Sequence, residues 1–227
     1  MSDQPSRRII VDIIEFCNSH IVPDKNFIAA PSGYQSSWFE AYFDFISDHV
    51  LGKHLGEAFY QARFLYKIML ALHLPQSKNK GFVKFQIIQY ASICEALLQF
   101  VIETKFKEEY TREHVIYDFT LNQNALSKST AITFEGKDLF LCNRKKKKVD
   151  LKRERIDNKI AFCLGKNVIS ESSASAFQQL YEARNNIHIL KAINSNYSPK
   201  VSEAKSAFIL MQKIRDEVKH FIENNLA

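Results

Sequence analysis

Residues 177–190 read Phe177-Gln-Gln-Leu-Tyr-Glu-Ala-Arg-Asn-Asn-Ile-His-Ile-Leu190. Leu180, Ala183, Ile187 and Leu190 recur at helical spacing, which predicts a core helix over 175–190 with one apolar stripe. Tyr181, Arg184 and His188 fall on the adjoining stripe, three and four residues apart, where the side chains of a helix meet. Asn185 and Asn186 stand between the cation and the imidazole. An asparagine amide competes for backbone hydrogen bonds and disfavours a helix interior, so the pair needs a reason. Two reasons fit. Either the helix ends here, or a fixed cation, two amides and a titratable ring are gathered beside a phosphate.

Outward from that stretch the pattern is helical. With only six Gly and five Pro in 227 residues, a loop-rich or all-β design is disfavoured, and the length suits one or two domains. Eighteen Phe and nine Tyr predict aromatic helix interfaces or an aromatic contact surface. A first helix is expected over 6–20, with Ile9, Ile10, Ile13, Ile14, Phe16 and Cys17 on its face and Pro23 beyond its end. An aromatic helix holding Trp38, Phe39, Tyr42, Phe43, Phe45 and Ile46 follows, and Gly52 is expected to interrupt it before a helix over 53–74. Pro75 to Gly81 is connector chemistry and a candidate domain boundary. Residues 82–106 form the most apolar helix, apolar on nearly every side, so neighbours are expected on several faces. Glu95 is its exception, and a carboxylate in such surroundings needs a partner. Arg184 is the expected partner; a solvent-facing Glu95, or one in another structural ion pair, is the alternative.

Ala131 to Cys142 reads as a β-hairpin, with Glu-Gly-Lys-Asp as the turn. A weaker helix is expected over 151–164, and Ser172 or Ser173 as the N-cap of the helix that carries Arg184. Pro199 is placed at the start of a final amphipathic helix over 199–225. Arg144, Lys145, Lys146, Lys147 and Lys148 form a charge block beside the hairpin. Such a block is either a solvated surface or a phosphate-contacting one, and the net charge of +6 fits a polyanion partner. Cys17, Cys94, Cys142 and Cys163 are scattered and give no metal-ligand spacing. No signal-peptide pattern and no membrane-spanning apolar run are evident, so a cytoplasmic protein away from membranes is expected. Glycine-rich phosphate loops, nucleophile elbows and zinc-protease motifs are absent, and His49 and His54 read as surface residues.

Arg184-Asn185-Asn186-Ile187-His188 resembles the arginine–polar spacer–histidine signature of the HEPN superfamily. The apolar helix around Ile93-Cys-Glu-Ala-Leu-Leu98 and the helix from Val201 to Asn225 agree with that resemblance. The spacer here is three residues, shorter than usual in the family. The resemblance implies a mainly α protein: a HEPN-like helical bundle over 82–227, an added N-terminal helical region over 1–81 and a short hairpin insertion at 130–155. It also implies a metal-independent endoribonuclease, without cofactor, acting as a toxin or phage-defence effector. Arg184, His188 and Asn185 would then be catalytic, Asn186, Tyr181 and Glu95 supporting, and Arg144 to Lys148 RNA-binding. RNA, a second copy of the chain and an antitoxin or defence-system partner are the implied partners. The alternatives are a non-catalytic module of the same fold that binds RNA or protein, and a helical interaction protein in which Arg184 and Glu95 merely pair.

Overall fold

The computed structural model describes residues 41–71, 79–121, 132–139, 142–147, 150–151, 153–187, 193 and 196–225. The expected first helix over 6–20, Trp38, Cys17, Lys148 and His188 lie outside the described residues. Within them the chain is mainly helical. Six helices run in order: α1 His49–Ala71, α2 Lys80–Lys105, α3 Lys107–Glu113, α4 Ile156–Gly165, α5 Glu171–Asn186 and α6 Val201–Asn224. Four short strands lie between α3 and α4: β1 Ile116–Leu121, β2 Ile132–Phe134, β3 Lys137–Leu139 and β4 Cys142–Lys147.

Helix α2 is the centre. Val83, Ile87, Tyr90, Ala91, Ile93, Cys94, Leu97, Leu98, Val101 and Ile102 are all buried, and together they cover about half of the helix circumference, while Ile88, Ser92 and Glu95 on the other side are only partly covered. Each fully buried side chain of this size contributes about 1.5–3 kcal/mol through removal of apolar area from water. That burial needs several neighbours, and α2 has them: α1 and α6 pack along it most extensively, with α4 and α5 also packed against it. By length and composition α2 is also long and apolar enough to cross a bilayer, which the sequence reading had not found in any run. Most of its apolar window is instead covered by these neighbouring helices.

The segment before α1 joins the same core. Phe43, Ile46, Leu55, Phe59 and Ala62 are buried with the α2 and α6 side chains in one cluster. Arg215 of α6 ties this segment down: its Nε and Nη2 donate to the Tyr42 carbonyl at 3.0 and 2.8 Å, and its guanidinium lies 4.1 Å from the Tyr42 ring centre. The aromatic residues fill helix interfaces here, with the Phe59 and Phe208 rings stacked at 6.1 Å. Residues 42–45 form a turn, so the expected aromatic helix does not run on through Phe43, Phe45 and Ile46, and Gly52 lies inside α1 without interrupting it. The start of α1 is set by Asp48, whose Oδ1 accepts from the amides of Val50 and Leu51, both at 3.0 Å. That capping carboxylate leaves Gly52 no role as a breaker.

The expected hairpin is present as β2 and β3, paired antiparallel with Phe134 opposite Lys137. Glu135 and Gly136 both have positive φ, 49° and 73°, as a two-residue hairpin turn of matching twist requires. A second antiparallel ladder, which periodicity did not reveal, joins β1 to β4 in register from Ile116 opposite Lys147 to Leu121 opposite Cys142. The basic run is therefore a strand. The four strands make their principal contacts with one another and not with the helices.

Helix α5 begins at Glu171, with Ser170 as its N-cap instead of Ser172 or Ser173. Ser170 Oγ accepts from the Ser173 amide at 3.3 Å and donates to Glu217 Oε1 at 2.7 Å. Ser173 Oγ donates to the same carboxylate oxygen at 3.0 Å, so one acid of α6 holds the whole first turn of α5. Helix α6 starts after Lys200, whose amide donates to Glu203 Oε2 at 2.6 Å; Pro199 stands just before that cap and not within the helix. Because Ser170 serves both as a cap and as a link to α6, Ser170→Ala should lower stability by about 1 kcal/mol. For a chain of this size that is a fall in Tm of about 2–4 °C in a thermal melt.

Candidate functional site

Arg184 lies in the last turn of α5, where a cation is favoured by the partial negative charge of the helix end. The stripe that holds α5 against the body is Ser173, Ala174, Phe177 and Leu180, all buried, with Ala183 and Ile187 half-buried further along. Tyr181 is half-buried and packs at the margin of the core. Its ring lies under the Arg184 guanidinium, 5.0 Å from centre to Cζ. That contact holds the fork in place through the ring's negative face. Arg184, Asn185 and Asn186 are each half-buried.

The helix closes at Asn186, and the Ile187 amide returns to the Arg184 carbonyl at 3.3 Å. Of the two reasons for paired asparagines, the helix end is therefore present. Within the described residues the expected helix over 175–190 runs from Glu171 to Asn186. His188 itself lies outside the described residues.

Glu95 has a different partner from the one expected. Its Oε1 lies 3.5 Å from Nζ of Lys159 on α4, and among the described residues no ion pair joins it to Arg184. Lys159 is 0% exposed and Glu95 28% exposed. Lys159 Nζ also donates to Gln99 Oε1 at 2.9 Å, one turn along α2 from Glu95. The physical reason for the exchange is burial: the Lys159 ammonium, fully desolvated between α4 and α2, requires a carboxylate more than the half-exposed Arg184 does. Sequence periodicity could have flagged Lys159, since it falls on the apolar face of α4 among Ile156, Ile160 and Cys163. Among the described residues Arg184 has no carboxylate partner, and its contact there is the Tyr181 ring.

The basic residues Arg144, Lys145, Lys146 and Lys147 occupy β4, exposed along its whole length; Lys148 lies outside the described residues. Lys147 pairs loosely with Asp118 of β1, 3.5 Å away. The structure thus separates the predicted residues into three places: Arg184, Asn185, Asn186 and Tyr181 at the end of α5, Glu95 with Lys159 at the α2–α4 interface, and the basic strand on the β1–β4 ladder.

Burial raises the Cys94 thiol and pushes that of Cys163 up to about 12, so neither supplies a thiolate near neutral pH. Among the described residues no group of three His, Cys, Asp or Glu side chains converges in a way that could hold a metal. Comparison with protein-family models, with curated proteins and with solved structures finds no match.

The Glu95–Lys159 pair makes an asymmetric prediction. Glu95→Ala strands a buried ammonium and should cost about 3–5 kcal/mol in urea unfolding. Lys159→Met leaves only a carboxylate that reaches solvent and should cost much less. In the Lys159→Met background Glu95→Ala should be nearly neutral. Arg184→Ala, which loses one ring contact, should cost less than about 1 kcal/mol.

Proposed function

We propose that the chain is an RNA-acting protein of HEPN type that cleaves RNA without a metal, at the end of α5. The observation that carries this reading is Arg184: a half-buried guanidinium held over Tyr181, with no carboxylate partner among the described residues, and followed by two amides. A planar guanidinium fork is suited to a bidentate anion such as a phosphodiester.

In the proposed reaction the RNA 2′-hydroxyl attacks the adjacent phosphorus. The bond to the 5′-oxygen breaks, giving a 2′,3′-cyclic phosphate and a free 5′-hydroxyl. A group titrating near neutrality must take the proton from the 2′-hydroxyl or supply one to the leaving oxygen, and His188 is the residue assigned to that role. Arg184 stabilises the charge that builds on the phosphate oxygens, and Asn185 with Asn186 orients the phosphate. One histidine serves only one end of this reaction. A second copy of the chain supplying a second His188 to the same cleft completes it, so the active form is proposed to be a homodimer. The basic strand adds phosphate contacts, and the setting proposed is cytoplasmic, as a toxin or defence effector held in check by a partner protein.

A second reading is favoured by one observation. Asn185 and Asn186 stand in the closing turn of α5, so the end of the helix accounts for them without any part in cleavage. In that reading the chain has the same fold and binds RNA or protein without cutting. Incubating the protein with 3′-labelled and 5′-labelled RNA separates the two. The cleavage reading expects products with cyclic phosphate ends, undiminished in excess EDTA, and lost in both Arg184→Ala and His188→Ala while the melting temperature of each variant stays within a few degrees of wild type. Cleavage that survives His188→Ala, or that leaves 5′-phosphate ends, overturns it.

A further inference from the structure

The pairing of β1 with β4 creates a surface that the basic run alone does not describe. Tyr117 lies opposite Lys146, Phe119 opposite Arg144, and Leu121 opposite Cys142. Residues directly opposite in an antiparallel ladder share a face, and successive residues alternate faces. One face of the ribbon therefore carries Tyr117, Phe119 and Leu121 in a row, with Arg144 and Lys146 interleaved beside the rings. The other carries Asp118 and Thr120 with Lys145 and Asn143. Among the described residues no helix covers the first face: Tyr117 is 39%, Phe119 65% and Leu121 53% exposed. The Arg144 guanidinium lies 4.3 Å from the Tyr117 ring centre, so cation and ring already form one platform.

We propose that this face of the β1–β4 ribbon binds single-stranded nucleic acid, bases stacking on Phe119 and Tyr117 while Arg144 and Lys146 contact phosphates. Charge complementarity selects this occupant. A protein groove lined by exposed phenylalanine would favour an apolar partner, but here each ring stands opposite a cation, and the one acid of the ladder, Asp118, is on the other face, paired with Lys147. Rings alternating with cations are what a single strand requires, because its bases offer flat π-faces and its backbone offers one charge per nucleotide. A duplex hides its base faces and has no use for the rings. The two rings stand two residues apart on β1, about 7 Å along the strand, so each can take a separate base. The inference rests on the reading of the chain as RNA-acting but not on its cleavage step.

The test uses the full chain and a fluorescein-labelled 12-mer of 2′-O-methyl oligouridylate, followed by anisotropy. This probe has no free 2′-hydroxyl and cannot be cut, so loss of binding and loss of cleavage are read separately. Phe119→Ala and Tyr117→Ala should each weaken binding about tenfold or more. Phe119→Leu, which keeps apolar bulk without a π-face, should weaken it similarly, whereas Phe119→Trp should retain it. Lys146→Gln should lower the slope of log affinity against log salt by about 0.7. Thr120→Ala, on the opposite face, should change nothing, and a duplex of the same length should bind less tightly than the single strand. Equal binding of duplex and single strand, with Phe119→Leu unchanged, would overturn the proposal in favour of a plain electrostatic patch. Binding to vesicles rich in anionic lipid, with none to the oligomer, would overturn it in favour of a membrane surface.

Discussion

A helix with so broad an apolar face cannot be stable unless several other elements cover it, and α2 imposes that condition on the rest of the chain. Its buried positions include consecutive pairs such as Ile93–Cys94 and Leu97–Leu98, so no single neighbour could cover them. Helices α1 and α6 lie along it, and α4 and α5 also pack against it. The polar features of the body follow from that packing. Lys159 is desolvated because α4 must press its inner face onto α2, and Glu95 and Gln99 stand on α2 one turn apart to receive it. Glu217 sits where α6 crosses the start of α5, and three polar groups of Ser170 and Ser173 converge on it. Position and capping of the helix that carries Arg184 are thus consequences of how α2 is enclosed.

What sequence could reveal follows the range of the physical signal. Helices α2 and α6 were legible because their periodicity is long and local, and the β2–β3 turn because Glu135-Gly136 requires a backbone that glycine admits. The interactions that cross between elements were not legible. Ser172 and Ser173 read as caps, but the carboxylate of Glu217, forty-four residues beyond Ser173, accepts from Ser170 and favours it as the cap instead. Glu95 could be recognised as a charge needing a partner, but spacing along one helix says nothing about which cation on another reaches it. Lys159 falls on the apolar face of α4, but that placement does not say which residue of another helix it meets. Strand β1 was missed for a different reason. A ribbon exposed on both faces has no burial to impose alternation. Tyr117-Asp-Phe-Thr-Leu121 alternates apolar and polar residues over five positions only, and the register alone shows which strand it pairs with and what stands opposite the rings.

The candidate site divides along the same line. The cluster at the end of α5 was legible as a set of residue types, since Arg184, Tyr181 and two asparagines stand within one turn of each other. Their arrangement was not, because it depends on where the helix stops, and weak helix formers leave that decision to tertiary contacts. The aromatic row on β1 needed the register. Neither Tyr117 nor Phe119 stands out in a chain with eighteen phenylalanines and nine tyrosines; opposite Arg144 and Lys146 they do.

The helix end also changes what the short spacer means. Along a continuous helix, four positions place two side chains about 6 Å apart on the axis and roughly 40° apart around it. Lengthening the spacer by one or two residues would swing the second side chain by roughly 100° or 200°, so in such a helix a signature with a variable spacer could not keep its histidine facing its arginine. A signature of that kind makes physical sense only where helical geometry stops between the two residues. Helix α5 stops there: Asn186 is its last residue, and the Ile187 amide turns back to the Arg184 carbonyl. The two asparagines, poor in a helix and good at ending one, stand at that boundary.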